Sequence, residues 1–331
     1  MNKSAIITGI TGQDGSYLCS SLISRGYSVV GLYRRNSTNN FWRVDKIVKH
    51  PMLKMVEFDL TDYASVYKII SDYQPDECYN LAAQSHVATS FEQPINTFNI
   101  NTQGVVCLLE AIRNISPETR FYQASTSEMF GFNYSVKDNG EKYQDENTAF
   151  FPQSPYAVAK VAAHQTVRLY RDSYGLYACS GILFNHESPK RGENFVTRKI
   201  TKYIGRLING LTKDKLQLGN INAYRDWGHA KDYVEAMRMM LNQEKPDDYV
   251  IATGSTHSVK DFLQTAFSIV ELDYRDHIEI NQAFYRPAEV DYLLGDSSKA
   301  KNILGWTPNI SFQRLVEEMV SSDIKYYEKR L

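Results

Sequence analysis

Tyr156 and Lys160 stand four residues apart behind Ser154-Pro155, which reads as an N-cap followed by proline at the first helical position. At that spacing a phenol and an ammonium share one helix face. A cation beside a phenol favours the phenolate, as would a positive nicotinamide ring, so Tyr156 is a candidate base near neutral pH. A second group of residues speaks for phosphate. Thr8-Gly9-Ile10-Thr11-Gly12-Gln13-Asp14-Gly15 follows a short apolar run and opens a helical stretch. Glycines let the backbone turn tightly against a diphosphate, and a helix N-terminus offers it free N–H groups. The spacing is G-x-x-G-x-x-G rather than the G-x-G-x-x-G dinucleotide fingerprint. Arg34 and Arg35 close the second apolar run, where an acidic side chain would receive the ribose hydroxyls of NAD. Two guanidiniums suit the extra phosphate of NADP instead. Asp59, ending the third run, is placed for the adenine edge. Alone, each pattern also fits a tight turn, solvated arginines or an interfacial tyrosine; their joint placement carries the inference.

Those groups meet only if the elements bearing them alternate. Apolar runs at 4–8, 27–33, 53–58, 76–82, 119–125 and 177–184 read as strands, the one at 27–33 as a strand covered on both faces. Helical spacing fills 17–25, where Gly26 is the stop, and 61–73, with Val66, Ile69 and Ile70 on one face. It recurs at 95–114 and 155–174. This rhythm predicts an α/β fold, a Rossmann-like doubly wound parallel sheet. After Phe184 the rhythm breaks. Residues 185–193 read as a polar loop, and 195–211 as a helix carrying Arg198, Lys199, Lys202 and Arg206. A β-α-like return follows at 229–253. The final amphipathic helix, 311–329, turns Leu315, Val316, Met319 and Val320 inward. No linker separates the halves. The expectation is an NADP-binding domain at 1–184, with a return segment near 229–253, and a smaller, interleaved C-terminal substrate domain mainly within 185–331.

Composition narrows the partners. Hydrophobic residues make up 43% and charged residues 23% of 331, which excludes wholesale disorder. A net charge of −1 supplies no basic field for nucleic acid. Cys19, Cys78, Cys107 and Cys179 are single and lie in apolar contexts, as expected of buried thiols in a reducing compartment. No run reaches membrane length, so a cytoplasmic protein is expected. The seven histidines show no ligand spacing, and no metal is expected.

Longer stretches are more specific. They are I-T-G-I-T-G-Q-D-G-S-Y-L (7–18), L-Y-R-R (32–35), N-L-A-A-Q-S-H-V (80–87), S-T-S-E-M-F-G (125–131) and S-P-Y-A-V-A-K (154–160). Beyond them come N-H-E-S-P-K-R-G-E-N-F-V-T-R-K (185–199), R-D-W-G-H-A-K-D-Y-V (225–234) and R-P-A-E-V-D (286–291). Together, nearly end to end, they resemble the GDP-mannose 4,6-dehydratase family of the extended short-chain dehydrogenase/reductase superfamily. The resemblance implies NADP as cofactor, a GDP-sugar as substrate and a homotetramer, or at least a dimer, joined through the loop 35–43 with Phe41 and Trp42. It implies that Thr126 bonds the sugar's 4-hydroxyl, that Tyr156 takes its proton, and that Lys160 holds the cofactor ribose. Glu128 would work at carbons 5 and 6. The cofactor would also meet Gly9, Thr11, Gly12, Gln13, Asp14, Gly15, Leu60, Leu81, Ala82, Ala83, His186 and Arg191. The substrate would meet Ser85, Asn185, Asn194, Val196, Lys199, Gly219, Arg225, Arg286 and Glu289. Lys199, Arg225 and Arg286 would converge on its diphosphate only if the smaller domain folds over the sheet's carboxyl edge. Three departures stand against the pattern: Gln153 for a usual Arg, Tyr224 for a usual Lys, and a longer loop at 132–147. They leave open the same dehydration on a GDP-heptose or GDP-N-acetylhexosamine. An epimerase or reductase would not need Glu128, and a regulatory module would need neither the base nor the acid.

Overall fold

Ile6 and Ile7 show how the centre is built. They are neighbours in one strand, point to opposite faces, and are both fully buried. A strand apolar on both sides must be covered on both sides, and burying each such side chain contributes about 1.5–3 kcal/mol. The computed structural model describes residues 3–35, 40–285 and 290–329. Seven parallel strands form one sheet, in the order Asp248–Ile251, Ala178–Leu183, Arg120–Thr126, Glu77–Asn80, Ser4–Thr8, Ser28–Tyr33 and Leu53–Glu57. On the face of Ile7 lie the helices Gln13–Ser24 and Ala230–Leu241, through Leu18, Leu22, Met237 and Met240. On the face of Ile6 lie Tyr63–Tyr73, Gly104–Ile115 and Pro155–Tyr174, through Ile70, Leu109 and Val167.

The chain builds outward from Ser4–Thr8 in one direction, then returns and builds in the other. The chain therefore leaves the carboxyl ends of the paired strands Ser4–Thr8 and Glu77–Asn80 toward opposite faces of the sheet, and a crevice opens beyond those ends, the usual ligand position in such sheets. The expected return at 229–253 supplies a covering helix and the edge strand Asp248–Ile251.

A second core gathers Ile200 and Ile204 of Val196–Ile208, Phe262 and Phe267 of Val259–Ser268, and Leu315 and Met319 of Phe312–Glu328. Trp227 belongs to it, from the strand Tyr224–His229. Three features differ from expectation. Asn185–Glu187, read as loop, is a short strand parallel to Trp227–His229. Its three polar residues carry no periodicity, and its pairing is made entirely by backbone. The 132–147 loop contains a hairpin, Ser135–Val136 against Lys142–Tyr143. The helix expected at 95–114 breaks into Pro94–Phe98, a wide turn at Asn99–Gln103 and Gly104–Ile115. At the wide turn Asn101 grips Gln84, accepting its N–H and donating to its carbonyl, both at 2.9 Å.

Candidate active site

The crevice is a cleft of about 1150 Å³. One wall is the glycine loop. Thr8 Oγ1 accepts from the N–H groups of Leu81 and Ala82, both at 3.0 Å, which locks that loop to the one after Glu77–Asn80. Gly9 has φ +70°, and a Cβ there would stand 3.0 Å from Ala82 N. A Cβ on Gly15 would sit 2.5 Å from Gly9 O. Only glycine permits either approach. Gly12 precedes the helix Gln13–Ser24, whose first turn has no side-chain cap.

Asp14 reaches across to His186, Oδ2 to Nε2 at 2.9 Å, while His186 Nδ1 lies 2.8 Å from Phe184 O. Both partners only accept, so the ring carries two protons. Burial opposes both charges. For Asp14 the imidazolium outweighs it and holds the carboxyl below its usual range; for His186 the carboxylate outweighs it and raises the ring.

The opposite wall is the helix Pro155–Tyr174. Ser154 Oγ accepts from Ala157 N at 3.1 Å, and Pro155 takes the first helical position, as the sequence predicts. Tyr156 and Lys160 line the cleft, 8% and 3% exposed. Lys160 Nζ donates to Ala124 O at 2.7 Å and stands 5.9 Å from the Tyr156 ring centre. Burial pushes Lys160 down to about 8. Burial also pushes Tyr156 up to about 12, against a hydrogen bond with Thr126 and reinforced by the Glu128 charge. Without the nicotinamide charge that the expectation also invoked, the phenol stays protonated. The ammonium is spent on a carbonyl, and further positive charge must enter the cleft before the phenol ionises. Thr126 and Glu128 follow at the end of the strand Arg120–Thr126, where Thr126 Oγ1 accepts from Glu128 N at 3.3 Å.

The family described as GDP-mannose 4,6 dehydratase matches residues 6–319. GDP-mannose 4,6 dehydratase 1 of Arabidopsis thaliana is 52% identical over 333 residues, covering 98% of this chain and 90% of its own. The GDP-mannose 4,6-dehydratase of Vibrio cholerae is 47% identical over 363 residues, with 99% and 96% covered. The chain belongs to the GDP-mannose 4,6-dehydratase family. Among solved structures, the dTDP-glucose 4,6-dehydratase of Bacillus anthracis, in complex with NAD, superposes with a TM-score of 0.85 at 22% identity, covering 98% of both chains.

Every described residue expected for the GDP-mannose 4,6-dehydratase family's site lines this cleft except Arg35, which is exposed beside Arg34. Gly9, Thr11, Gly12, Gln13, Asp14, Gly15, Arg34, Asp59, Leu60, Leu81, Ala82 and Ala83 lie at one end. Ser85, Asn185, His186, Arg191, Asn194, Val196, Lys199, Gly219 and Arg225 lie at the other. Arg286 and Glu289 fall outside the described residues. Asp59 accepts from Thr61 N and Oγ1 at 2.9 and 2.7 Å; these bonds, with Arg34, hold its carboxyl below the usual range. Arg191 pairs with Glu187 at 3.1 Å, its guanidinium 3.6 Å over Phe195. The lining also includes Arg43, Gln84, His86 and Ser125, which the sequence reading did not single out. Gln84, His86 and Ser125 sit inside family stretches, and that was the available signal. Arg43 donates to Thr11 O at 3.3 Å and to Lys190 O at 2.7 Å. Burial, with the Arg198 charge, pushes it down to about 10.

Proposed function

We propose that the protein converts GDP-mannose to GDP-4-keto-6-deoxymannose and water, using a tightly held NADP. The observation that carries this is the joint presence, in one cleft, of Thr126, Glu128, Tyr156 and Lys160 with the glycine cradle, in a chain of this family. The cradle suits a dinucleotide: Gly9 and Gly15 let the loop fold tightly against the backbone of Ala82 and Gly9, and the helix that follows starts at Gly12 without a side-chain cap on its N–H groups. When bound, a nicotinamide cofactor supplies hydride acceptance at one sugar carbon and hydride return at another.

The chain's own groups do the rest. Thr126 and Tyr156 hold the 4-hydroxyl, and Tyr156 Oη receives its proton. The 4-ketone that results acidifies the hydrogen at carbon 5. Glu128 takes that proton and passes it to the 6-hydroxyl, which leaves as water. A proton returned at carbon 5 completes the product. Lys199 and Arg225 stand where a diphosphate would be met, each reaching the cleft from the second core. Residues 1–184 with 229–253 act as the cofactor-binding part, and the remainder of 185–331 as the substrate-binding part. Arg34 in the cleft supports NADP over NAD, since no acidic side chain takes that strand end. The assembly proposed is a homotetramer, or at least a dimer. Four free, buried cysteines support a cytoplasmic setting.

The test is incubation with a panel of GDP-sugars and mass analysis for loss of one water. GDP-mannose should react, with solvent deuterium entering at carbon 5, and Glu128→Gln should suppress both. Dehydration of a GDP-heptose or GDP-N-acetylhexosamine in its place would reassign the substrate.

A further inference from the structure

Three ties bind the helix Pro155–Tyr174 to the strand Arg120–Thr126, and they recur every four residues along the helix. Tyr156 meets Thr126 through their side chains. Lys160 Nζ donates to Ala124 O at 2.7 Å. His164 Nδ1 lies 3.1 Å from Ser125 Oγ. Positions four apart share a helix face, so one stripe carries all three. The first two residues belong to the site described above; the third has no part in that chemistry.

We propose that His164 is a positioning residue for the dehydration: by accepting the Ser125 hydroxyl it fixes the helix in register with the strand and holds Tyr156 against Thr126. The proposal rests on the functional reading above.

The proton positions follow from the partners. His164 is buried, and its Nε2 faces Asp248 Oδ2 at 3.8 Å. Asp248 accepts two bonds from Arg171, both at 2.9 Å, and one from Ser180 N at 3.0 Å, which keeps it ionised despite burial. A carboxylate offers no proton, so His164 carries its own on Nε2. Nδ1 keeps a lone pair, and the Ser125 O–H donates to it. Asp248, Arg171 and Arg168 are the charged groups that act on the ring, and Phe150 meets it edge-on at 5.2 Å. Burial, with the two arginines, outweighs Asp248 and holds the imidazole neutral at neutral pH. The network thus spans the strand bearing Thr126, the helix bearing Tyr156 and the edge strand Asp248–Ile251. Displacing a reacting group by about 1 Å can cost on the order of a hundredfold in rate, so a tie beside Thr126 bears on turnover as well as on stability.

The test compares His164→Asn, whose side-chain oxygen can still accept from Ser125, with His164→Leu, which cannot. His164→Leu should lower kcat for GDP-mannose by about tenfold or more, with KM and cofactor Kd within about twofold, and His164→Asn should recover most of the loss. A His164→Leu enzyme with the parent's kcat, or equal losses in both variants, overturns the proposal. Should His164→Leu not fold, Ser125→Ala removes the donor with one atom and should show the same fall in kcat; an unchanged kcat overturns it. A readout without turnover is the Tyr156 ring resonance, assigned by its loss in Tyr156→Phe. It should move in His164→Leu and stay in His164→Asn, and a resonance unmoved in both overturns the register. A parent protein that leaves every GDP-sugar intact defeats the functional reading, while the resonance still decides whether His164 sets Tyr156 against Thr126.

Discussion

Burying Lys160 has a cost that the apoprotein bears at neutral pH. A fall from 10.5 to about 8 corresponds to about 3 kcal/mol against the charged form. The sign follows from the two states. Below pH 8 both chains hold the proton, and the folded one bears the full desolvation cost. Between pH 8 and 10.5 the folded chain releases it first, so the cost fades. Lys160→Met should therefore raise the apoprotein's stability at pH 7 by about 2 kcal/mol, after about 1 kcal/mol for the orphaned Ala124 carbonyl, while abolishing turnover. Thermal melts at pH 7 and pH 10 check this: the gain should be lost at the higher pH. Arg34 supports a second expectation. Arg34→Asp should weaken NADP binding at least about tenfold and NAD binding far less, measured by fluorescence titration. Equal losses for the two would detach Arg34 from the choice. The sequence exposed Tyr156, Lys160 and the glycines because their chemistry depends on spacing along one element. Glu128 and His186 came only through the family resemblance, since a lone Glu after a strand is ordinary. Arg43 was hidden because its role depends on a loop folding back onto Thr11.

Asp14 and His186 join two elements that are 172 residues apart in sequence, the helix of the glycine loop and the short strand Asn185–Glu187. Removing one partner of a buried pair leaves the other charge uncompensated, so Asp14→Ala should cost about 3 kcal/mol. The raised His186 contributes fully below 6.5 and loses its contribution as pH rises through its folded value. The lowered Asp14 contributes fully above 3.8 and loses it as pH falls through its folded value. The gap in melting temperature between parent and Asp14→Ala should be wide at pH 5 and narrower at pH 9. A gap constant over that range would make the tie one of shape rather than charge. Elements with strong apolar periodicity were legible to within a few residues, and the sheet's seven strands are the six apolar runs plus one from the return segment. Asn185–Glu187 was not legible, because a three-residue polar strand is specified by its partner Trp227–His229 rather than by its own side chains.

At the scale of the molecule, apolar side chains remain uncovered. Trp42 is 46% exposed with the Arg43 guanidinium 4.2 Å over it, and Ile95 is 77% exposed. Phe41, expected to share that role, packs edge-on against Tyr33 at 4.9 Å, and residues 36–39 lie outside those described. Light scattering at working concentration should give a dimer or tetramer mass, and Trp42→Ser should lower it; a monomeric parent would contradict the assembly. The sheet itself has a consequence for synthesis. Its last strand, Asp248–Ile251, emerges from the ribosome some 65 residues after its neighbour Ala178–Leu183, because Leu183 and Asp248 are separated by that length of chain. Until then the nascent chain carries an open strand edge whose residues are all buried in the finished fold, the kind of surface that recruits other unfinished chains. A messenger that stalls between those two points should yield a product that chaperones hold or that aggregates, and release past residue 251 should relieve both.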